Sequence, residues 1–291
     1  MTKLSANRES QQSGDLAARL DALAVIHRIP HEGRDVAWRQ FGNGPPLVLI
    51  HGGHGSWMHW VRNIEALSTQ HTLWLPDLPG FGDSDSLAGE HHAADCFERL
   101  VAAVAATADH VVGADREFSL AGFSFGGLVA ACLAAKRPKV ARLALLGPAG
   151  HGGPRRQTSE MVNWRQDDRE KMLAALRHNL RALMLHEESS INALAMAVHE
   201  RACMSTRFRS RALSRQAMLA DALATYRGAT LLMWGEHDVT AVPVEAAQTL
   251  ADNASNRDWC LIPGAGHWVQ FERHQEVNQL LRRWFAQAEL A

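Results

Sequence analysis

The sequence has no large excess of charge of either sign, because its 30 Lys and Arg residues are balanced by 31 Asp and Glu residues. Without an overall basic field, nucleic acid is not an expected partner. The sequence also lacks an apolar run of about 18 residues, the length that a membrane-spanning helix needs, so no membrane partner is expected. Its length of 291 residues and its 46% of apolar residues indicate a globular protein with a sizeable core.

Features of secreted proteins are missing as well. The polar N-terminus has no apolar stretch of the kind found in secretory signals, and residues 1–22 are predicted to be an extension that leads into a short helix. The cysteines lie far apart and form no CxxC pair, which indicates reduced thiols in a cytoplasmic protein. They are Cys96, Cys132, Cys203 and Cys260.

No pattern in the sequence predicts a metal or a cofactor. Sixteen histidines are present, but none falls in an HExxH or a paired Cys/His pattern. The Gly-rich loop HGGHG (51–55) could in principle cradle a phosphate, yet Met58 stands where a GxGxxG motif has its last glycine. We therefore expect no dinucleotide and no metal ion.

Short apolar segments alternate with helical patterns along most of the chain. Several of these segments are almost continuously apolar, as in parallel strands that are covered on both faces. The alternation predicts an α/β fold with a mostly parallel sheet flanked by helices. The strand candidates are LAVIHRI (23–29), DVAWRQF (35–41), PLVLI (46–50), HTLWLPD (71–77), FSLAGF (118–123), VARLALLG (140–147), ATLLMWG (229–235) and DWCLI (258–262).

One segment interrupts this alternation. Residues 151–225 carry no strand pattern, only helix-like stretches such as 171–186 and 191–204. Because the segment lies between two strands of the core, we predict a helical cap, or lid, inserted after the sixth strand over the carboxyl edge of the sheet. The core then comprises residues 23–150 and 226–291.

A candidate nucleophile follows one of the apolar segments. The stretch AGFSFGG places Ser124 in a G-x-S-x-G pattern between a strand and a helix. The glycines at positions 122 and 126 leave room for a sharp turn, which points the hydroxyl out of the sheet at the positive end of the following helix. The same letters could form a simple strand–helix turn, but their context favours a nucleophile elbow.

A serine hydroxyl needs a base, and the base needs an orienting carboxylate. In LLMWGEHDVTAVP, Asp238 comes just after the apolar strand candidate ATLLMWG (229–235). His267 lies in the Gly-rich loop GAGH, just after the next strand candidate, DWCLI (258–262). The chain order Ser124, Asp238, His267 is typical of the elbow motif. Glu236 and His237 are neighbouring alternatives.

The predicted tetrahedral intermediate carries a negative charge and needs hydrogen-bond donors. The loop at 51–55 follows the strand PLVLI, and its glycines allow backbone amides to face a substrate oxygen. We assign the oxyanion hole to the amides of Gly53 and Phe125. His51 is interpreted as a structural histidine that holds this tight loop.

These residues together resemble the α/β-hydrolases from about residue 23 to residue 288. The blocks that carry the resemblance are HGGHGSW, DLPGFGDSD, GFSFGG, WGEHD and GAGHW. The resemblance implies an eight-stranded, mostly parallel sheet with one antiparallel strand, a helical cap and hydrolysis without a cofactor. Ser124 stands where the related dehalogenases and epoxide hydrolases carry Asp, which makes those two chemistries unexpected.

Within this fold the chain is most similar to the meta-cleavage product hydrolases, which cut carbon–carbon bonds in ring-opened aromatic dienoates. GHWVQFE (266–272) and GPAGHG (147–152) resemble their counterparts there, and Trp268 matches the Trp of their His-Trp pair. The resemblance implies that Arg201 binds a substrate carboxylate. Residues 151–215 carry twelve Lys and Arg against seven Asp and Glu, so the cap is basic and suits an anionic substrate.

One position departs from those hydrolases, which have Asn before the nucleophile in a GNSMGG pattern. Phe123 stands there in this chain and cannot make the polar contact of that Asn. The sequence therefore favours an esterase, a serine hydrolase of small carboxylic esters, with the carbon–carbon hydrolase as the alternative. A ligand receptor that has kept the fold is a third possibility.

Four residues are candidates for substrate binding: Phe123, His54, Arg201 and Trp268. The sequence does not distinguish a monomer from a homodimer.

Overall fold

A computed structural model describes residues 16–89, 95–252 and 254–286 of the chain. Residues 16–23 form the short helix that the N-terminus was predicted to lead into, here called α1. Residues 1–15 of the predicted extension and residues 287–291 of the predicted core lie outside the described ranges.

The core is an eight-stranded sheet in the order β1-β2-β4-β3-β5-β6-β7-β8. The second strand runs antiparallel to both of its neighbours, and all other neighbours pair in parallel. The predicted α/β fold with one antiparallel strand is thus confirmed. The strands are β1 Val25–His31, β2 Arg34–Phe41, β3 Pro46–Ile50, β4 Thr72–Pro76, β5 Phe118–Phe123, β6 Val140–Leu146, β7 Ala229–Gly235 and β8 Arg257–Ile262.

Burial along the strands follows their place in the sheet. Every residue of the central strands β3 and β5 is buried, because helices cover both faces there. The edge strands β1 and β8 have exposed residues along their length. The continuous apolar runs in the sequence are therefore the inner strands.

Helices pack on both faces of the sheet and bury two apolar layers. One layer includes α3, α4 and α8, and the other includes α2, α9 and α10. The helices after α1 are α2 Ile64–Leu67, α3 Cys96–Val112, α4 Phe125–Lys136, α5 Arg169–Asn179, α6 Ala193–Ser205, α7 Leu219–Thr225, α8 Pro243–Ala251, α9 Val269–Glu272 and α10 His274–Ala286.

The segment between β6 and β7 contains α5, α6 and α7 and no strand, and all of it lies within the described ranges. Helix α5 packs on α6, whereas α7 packs on α4 and joins the apolar layer of the core through Leu219 and Leu223. The last part of the predicted cap is therefore continuous with the core. The helical pattern predicted over residues 171–186 divides into α5 and a turn of π-helix at Leu180–Met184. That α5 and α6 act as a lid stays a prediction.

Because their strands are parallel, the loops that follow β3, β5, β7 and β8 all leave the same edge of the sheet. These loops contain the candidate residues for hydrolysis. No helix in the described part of the chain has the length and apolar character to cross a membrane.

Candidate active site

Ser124 occupies a strained turn between β5 and α4. Its backbone has φ 52° and ψ −119°, a conformation that costs a non-glycine residue about 1–3 kcal/mol. A Cβ added at Gly126 would collide with the carbonyl oxygen of His51, so the turn closes only with glycine there. The N–H of Ser124 donates to the carbonyl of Leu146 at 2.9 Å, and its own carbonyl accepts from the N–H of Ala149 at 2.9 Å. The neighbouring strand thus holds the serine in the strained conformation.

The structure brings the three predicted catalytic side chains together. Ser124 Oγ lies 2.9 Å from His267 Nε2, and His267 Nδ1 lies 2.8 Å from Asp238 Oδ2. Asp238 is fully buried and His267 is 4% exposed. In this arrangement the imidazole can accept the Ser124 proton at Nε2 while it donates from Nδ1 to the carboxylate.

Asp238 is held as a carboxylate by hydrogen bonds. Thr240 donates to Oδ1 through its backbone N–H at 2.7 Å and its hydroxyl at 2.8 Å. Burial by itself would raise the pKa of Asp238, but the charge of His267 and the hydrogen bonds from His267 and Thr240 outweigh it and leave that pKa below its ordinary value. Oδ2 therefore remains an acceptor for the His267 N–H.

The loop that contains Gly53 is fixed from several sides. His51 Nδ1 lies 2.7 Å from the carbonyl oxygen of Gly52, and His51 Nε2 accepts from the N–H of Leu78 at 2.9 Å. The N–H of Gly52 in turn donates to His59 Nδ1 at 3.2 Å. Burial lowers the pKa of His51, which fits a neutral ring that donates at one nitrogen and accepts at the other. The loop is thus held in one conformation beside Ser124.

Gly53 faces the first residue of α4. A Cβ added at Gly53 would lie 3.7 Å from the Cβ of Phe125 and 2.5 Å from the hydroxyl oxygen of Ser210. The two amides assigned to the oxyanion hole therefore come from adjacent pieces of chain next to the nucleophile. This is the arrangement that a tetrahedral intermediate needs, and the assignment itself stays a prediction.

A cavity of about 380 Å³ opens at Ser124 and is closed on its far side by the segment between β6 and β7. This volume lies in the range of sites for small molecules. Ser124, His267, Gly53 and Thr240 line its floor. Among the described residues of its lining there is no Asp or Glu, and the charged ones are all arginines: Arg155, Arg165, Arg211 and Arg215.

The four arginines of the cavity are not neutralised by ion pairs within the described residues. Within the described ranges, none of the four forms an ion pair with a carboxylate. Arg155 donates to the carbonyl of Ser214 at 2.9 Å, and burial together with the charges of Arg215 and Arg211 lowers the pKa of Arg155. An arginine stays protonated in spite of such a shift. The described lining is therefore positively charged, and the nearby opposite charge that acts on Arg155 is the buried carboxylate of Asp238.

Two of the four predicted substrate-binding residues line the cavity. Phe123 is fully buried, and its ring centroid lies 5.0 Å from that of His267. His54 has a positive φ of 47°. Burial lowers the pKa of His54, and the nearby positive charges of Arg165 and Arg211 lower it further. Both positions can contact a ligand that reaches Ser124.

The other two predicted substrate-binding residues, Trp268 and Arg201, lie outside the described lining of the cavity. Trp268 is fully buried; its indole N–H donates to the carbonyl of His59 at 3.0 Å, and its ring stacks on Phe271. Arg201 has half of its side chain exposed and lies 3.8 Å from Asp21 Oδ2 of α1. Neither belongs to the described lining of the cavity.

The phase of helix α6 explains the position of Arg201. His199 and Cys203 of that helix line the cavity, and Arg201 lies two residues from each. Successive residues of a helix are rotated by about 100°, so Arg201 points to the opposite face. Burial lowers the pKa of His199 to about 4 and raises that of Cys203 to about 12, so this wall of the cavity is uncharged.

A buried carboxylate connects the loop of His267 to the segment after α5. Glu272, which is 6% exposed, accepts from the N–H groups of Gly266 at 2.7 Å, His186 at 3.1 Å and Glu187 at 2.6 Å. The N–H of Trp268 also donates to the carbonyl of Met184 at 2.7 Å. The orientation of His267, the predicted catalytic base, is thus coupled to the π-helical turn that lines the cavity.

The described residues contain no cluster of three or more His, Cys, Asp or Glu side chains that could hold a metal ion.

The chain is similar to hydrolases whose activities are named. Over 265 residues it is 28% identical to a 2-hydroxymuconate semialdehyde hydrolase from Pseudomonas sp. (strain CF600), covering 86% of this chain and 90% of that protein. Its structure is similar to a meta-cleavage product hydrolase from Pseudomonas fluorescens IP01, with a TM-score of 0.71, 22% identity and coverage of 90% and 98% of the two chains. It is similar to an esterase from Rhodococcus sp. ECU1013 with a TM-score of 0.71, 21% identity and coverage of 91% and 98%. At these identities the structural likeness establishes the fold.

The sequence model of the Alpha/beta hydrolase family matches residues 47–280. That range begins in β3, ends in α10 and includes Ser124, Asp238 and His267. The match covers well over half of the chain and agrees with the sheet, the elbow and the order of the triad. The chain belongs to the Alpha/beta hydrolase family.

Proposed function

We propose that this chain is a serine hydrolase of a small acidic substrate, and that it cleaves a carbon–carbon bond of a 2-hydroxy-6-oxo-dienoate. The observation that carries the proposal is the charge of the cavity, whose described lining contains four arginines and no carboxylate near Ser124. The name of the Pseudomonas relative supports a substrate of this class. The sequence alone favours a carboxylic ester as the substrate, with the dienoate as the alternative, whereas the cavity and the named relative together favour the dienoate.

The triad supplies the acyl-transfer step. Ser124 Oγ attacks the carbonyl carbon at C6 while His267 Nε2 takes its proton, and the carbonyl oxygen becomes an oxyanion at the amides of Gly53 and Phe125. Collapse of this intermediate breaks the bond between C5 and C6 and releases the rest of the substrate as a dienolate, which takes up a proton at the oxygen at C2 while His267 returns to its neutral form. Water, activated by His267, then releases the acid from Ser124.

The arginines have a role in the difficult part of this reaction. A carbon leaving group must hold the electron pair of the broken bond. The substrate reaches its keto form when the proton of the hydroxyl at C2 is transferred to C5. In that form the pair is delocalised along C5, C4 and C3 to the oxygen at C2, beside the carboxylate. Guanidinium groups at this end of the cavity would bind the carboxylate and stabilise the developing negative charge.

A comparison of substrates tests the proposal. Purified protein should hydrolyse a 2-hydroxy-6-oxo-dienoate with a kcat/KM at least about tenfold above that for p-nitrophenyl acetate, because only the dienoate uses the arginines, each worth a factor of about ten. Loss of the dienoate chromophore and release of nitrophenolate measure the two rates. Turnover of esters with no turnover of any dienoate would overturn the carbon–carbon assignment.

The second candidate, hydrolysis of a carboxylic ester, is favoured by Phe123. Its ring packs against His267 and against His59, with centroid distances of 5.0 Å and 5.3 Å, and offers no polar group to the substrate. Ester cleavage needs only the triad and the oxyanion donors, since an alkoxide is a better leaving group than a carbanion. An ester with an acidic acyl or alcohol part would also use the arginines.

The arginines should control the affinity for acidic substrates. Replacing Arg211 or Arg215 by Gln should raise KM for an anionic substrate by about 10- to 100-fold, the value of one charge-assisted hydrogen bond. The KM for a neutral ester of similar size should change by less than about threefold, because that ester leaves the guanidinium unused. Steady-state kinetics with the matched pair of substrates measures both values.

Arg201→Gln provides the matched control in the same segment. Because Arg201 points away from the cavity and is half exposed, both KM values should stay at those of the wild type. An increase of KM in Arg201→Gln, with no increase in Arg211→Gln and Arg215→Gln, would show that the sequence resemblance, and not the cavity lining, identifies the anion-binding residue.

The proposed location of the enzyme is the cytoplasm. All of its cysteines are free, which fits a reducing compartment. Burial raises the pKa of Cys132 and of Cys260 to about 11, so these thiols are protonated and poorly reactive at neutral pH.

A further inference from the structure

Ser210 lies in a segment that is fastened to the core next to the candidate oxyanion hole. The N–H groups of Arg207 and Phe208 both donate to the carbonyl of Gly80, at 2.8 Å and 3.1 Å. The ring of Phe208 packs against that of Phe125, with a centroid distance of 5.8 Å. The chain that leads to Ser210 is thereby held against the first residue of α4.

The hydroxyl of Ser210 has no hydrogen-bond partner among the described residues. Ser210 is 2% exposed and lines the cavity. Its carbonyl accepts from the N–H and the hydroxyl of Ser214, both at 2.9 Å, but its own hydroxyl makes no hydrogen bond with any described residue. Ser210 Oγ is not one of the buried unpaired side-chain atoms and lies in the cavity lining, so the hydroxyl faces the cavity and can bond to a group that enters it.

The same hydroxyl lies beside the oxyanion loop. A Cβ added at Gly53 would come within 2.5 Å of Ser210 Oγ and 3.7 Å of the Cβ of Phe125. The space that a side chain would fill at Gly53 is therefore bounded by the Ser210 hydroxyl on one side and by the start of α4 on the other. The absence of a side chain at Gly53 keeps the path from Ser210 to the predicted anion position open.

We propose that Ser210 is a catalytic residue whose hydroxyl donates a third hydrogen bond to the substrate oxygen held by the amides of Gly53 and Phe125. No proton is transferred in this interaction. The hydrogen bond strengthens as Ser124 Oγ bonds to the carbonyl carbon and the carbonyl π pair moves onto the oxygen, and it weakens again when the intermediate collapses. The inference rests on the proposed function, because it assumes acyl transfer at Ser124.

The segment between β6 and β7 would thus supply part of the reaction centre as well as a wall of the cavity. In the two-donor arrangement both amides belong to the core, on the loop after β3 and at the start of α4. Ser210 adds a donor from a segment whose position depends on Arg207 and Phe208. Full activity would then require that this segment be packed against the core through these contacts.

Replacing Ser210 by Ala tests the proposal. With p-nitrophenyl acetate as the probe, kcat should fall by about 10- to 100-fold, somewhat less than the loss of a main oxyanion donor, while KM stays within about threefold. A trifluoromethyl ketone, which binds as a charged tetrahedral adduct, should lose affinity by a similar factor. The melting temperature should stay close to that of the wild type, since the hydroxyl makes no hydrogen bond with any residue that the structure describes.

Two further variants separate hydrogen bonding from packing. Ser210→Thr keeps the hydroxyl and should retain kcat within about fivefold, whereas Ser210→Cys keeps the size with a weak donor and should resemble Ser210→Ala. Ser205→Ala is the control, because the Ser205 hydroxyl bonds to the carbonyl of Arg201 at 2.9 Å, outside the cavity.

Either of two outcomes would overturn the role of Ser210: a wild-type kcat in Ser210→Ala and Ser210→Cys, or equal losses in Ser210→Ala and Ser210→Thr. Should Ser210→Ala fail to fold, Ser210→Cys decides, with a lowered kcat in support and an unchanged kcat against. Ser124→Ala is assayed in parallel. Activity that survives in Ser124→Ala would refute the proposed function itself, whereas an inactive Ser124→Ala beside a fully active Ser210→Ala would refute only this inference.

Discussion

Ser124→Ala should lower kcat by about 10⁴- to 10⁶-fold on any substrate the protein turns over, the loss that follows removal of a serine nucleophile. The reason is geometric. Ser124 Oγ is the oxygen within hydrogen-bond reach of His267 Nε2, at 2.9 Å, and an alanine leaves the imidazole with nothing to activate except water. The residual rate would come from substrate binding and the oxyanion donors.

The fold should survive this substitution. Ser124 already occupies a positive φ as a non-glycine residue, and Ala adds no atom to the turn. The backbone bonds to Leu146 and Ala149, each 2.9 Å long, do not involve the side chain. Circular dichroism and the melting temperature should therefore match the wild type within a few degrees.

Ser119→Ala is the matched control for this prediction. Ser119 lies in the same strand, β5, and does not line the cavity. Its variant should keep wild-type kcat and should be labelled by a fluorophosphonate at one site, as the wild type should be. Ser124→Ala should take up no label. Equal turnover in wild type and Ser124→Ala, or an adduct on another serine, would remove Ser124 from the mechanism.

The strands, and the meeting of Ser124, Asp238 and His267 at one edge of the sheet, could be predicted from the sequence because each depends on a local signal. PLVLI, FSLAGF and ATLLMWG coincide with β3, β5 and β7 residue for residue, since inner parallel strands are continuously apolar and end at Gly, His or a turn. Asp238 and His267 follow the ends of adjacent parallel strands. The sheet then brings them to one edge without any further information.

The substrate-binding residues could not be predicted in the same way, because they depend on the phase and packing of helices. The basic composition of residues 151–215 indicates an anionic substrate but not which arginine faces the cavity. The family resemblance points to Arg201, but the rotation of α6 turns this residue outward while His199 and Cys203 face inward. Trp268 carries an apolar ring that is as suitable for a core as for a cavity wall, and here it is fully buried in the core.

Other residues of the site have no sequence pattern at all. Thr240 follows Asp238 by two residues, and only the bend after β7 brings its hydroxyl back to the carboxylate. Ser210 reaches Gly53 from a position 157 residues further along the chain, through contacts of Phe208 with the core. Long-range proximity of this kind is set by tertiary packing, which residue spacing does not encode.

Asp238→Asn should lower kcat by about 10⁴-fold, because it inverts the hydrogen bond that fixes the imidazole. Thr240 donates twice to Oδ1, so the amide oxygen of an Asn would take that place and its NH₂ group would face His267 Nδ1. Nδ1 would then have to accept, and the ring proton would move to Nε2. A protonated Nε2 cannot accept the Ser124 hydroxyl proton, and the nucleophile stays inactive.

The same substitution should leave the fold intact, since the Asn keeps both hydrogen bonds from Thr240 and removes a charge that is fully buried. Binding of an unreactive substrate analogue should remain within about threefold of the wild type, because Asp238 does not line the cavity. The loss should therefore be confined to kcat, and fluorophosphonate labelling of Ser124 should slow in parallel.

Glu236→Gln is the matched control, because it removes the charge of the neighbouring acid that the sequence offers as an alternative. Glu236 is exposed, and its Oε2 accepts from the N–H of Gly264 at 3.0 Å, away from His267. Its variant should keep kcat within about twofold of the wild type. Full activity in Asp238→Asn together with a large loss in Glu236→Gln would transfer the orienting role to Glu236, whereas losses of similar size in both would indicate that this loop acts through its overall conformation rather than through one carboxylate.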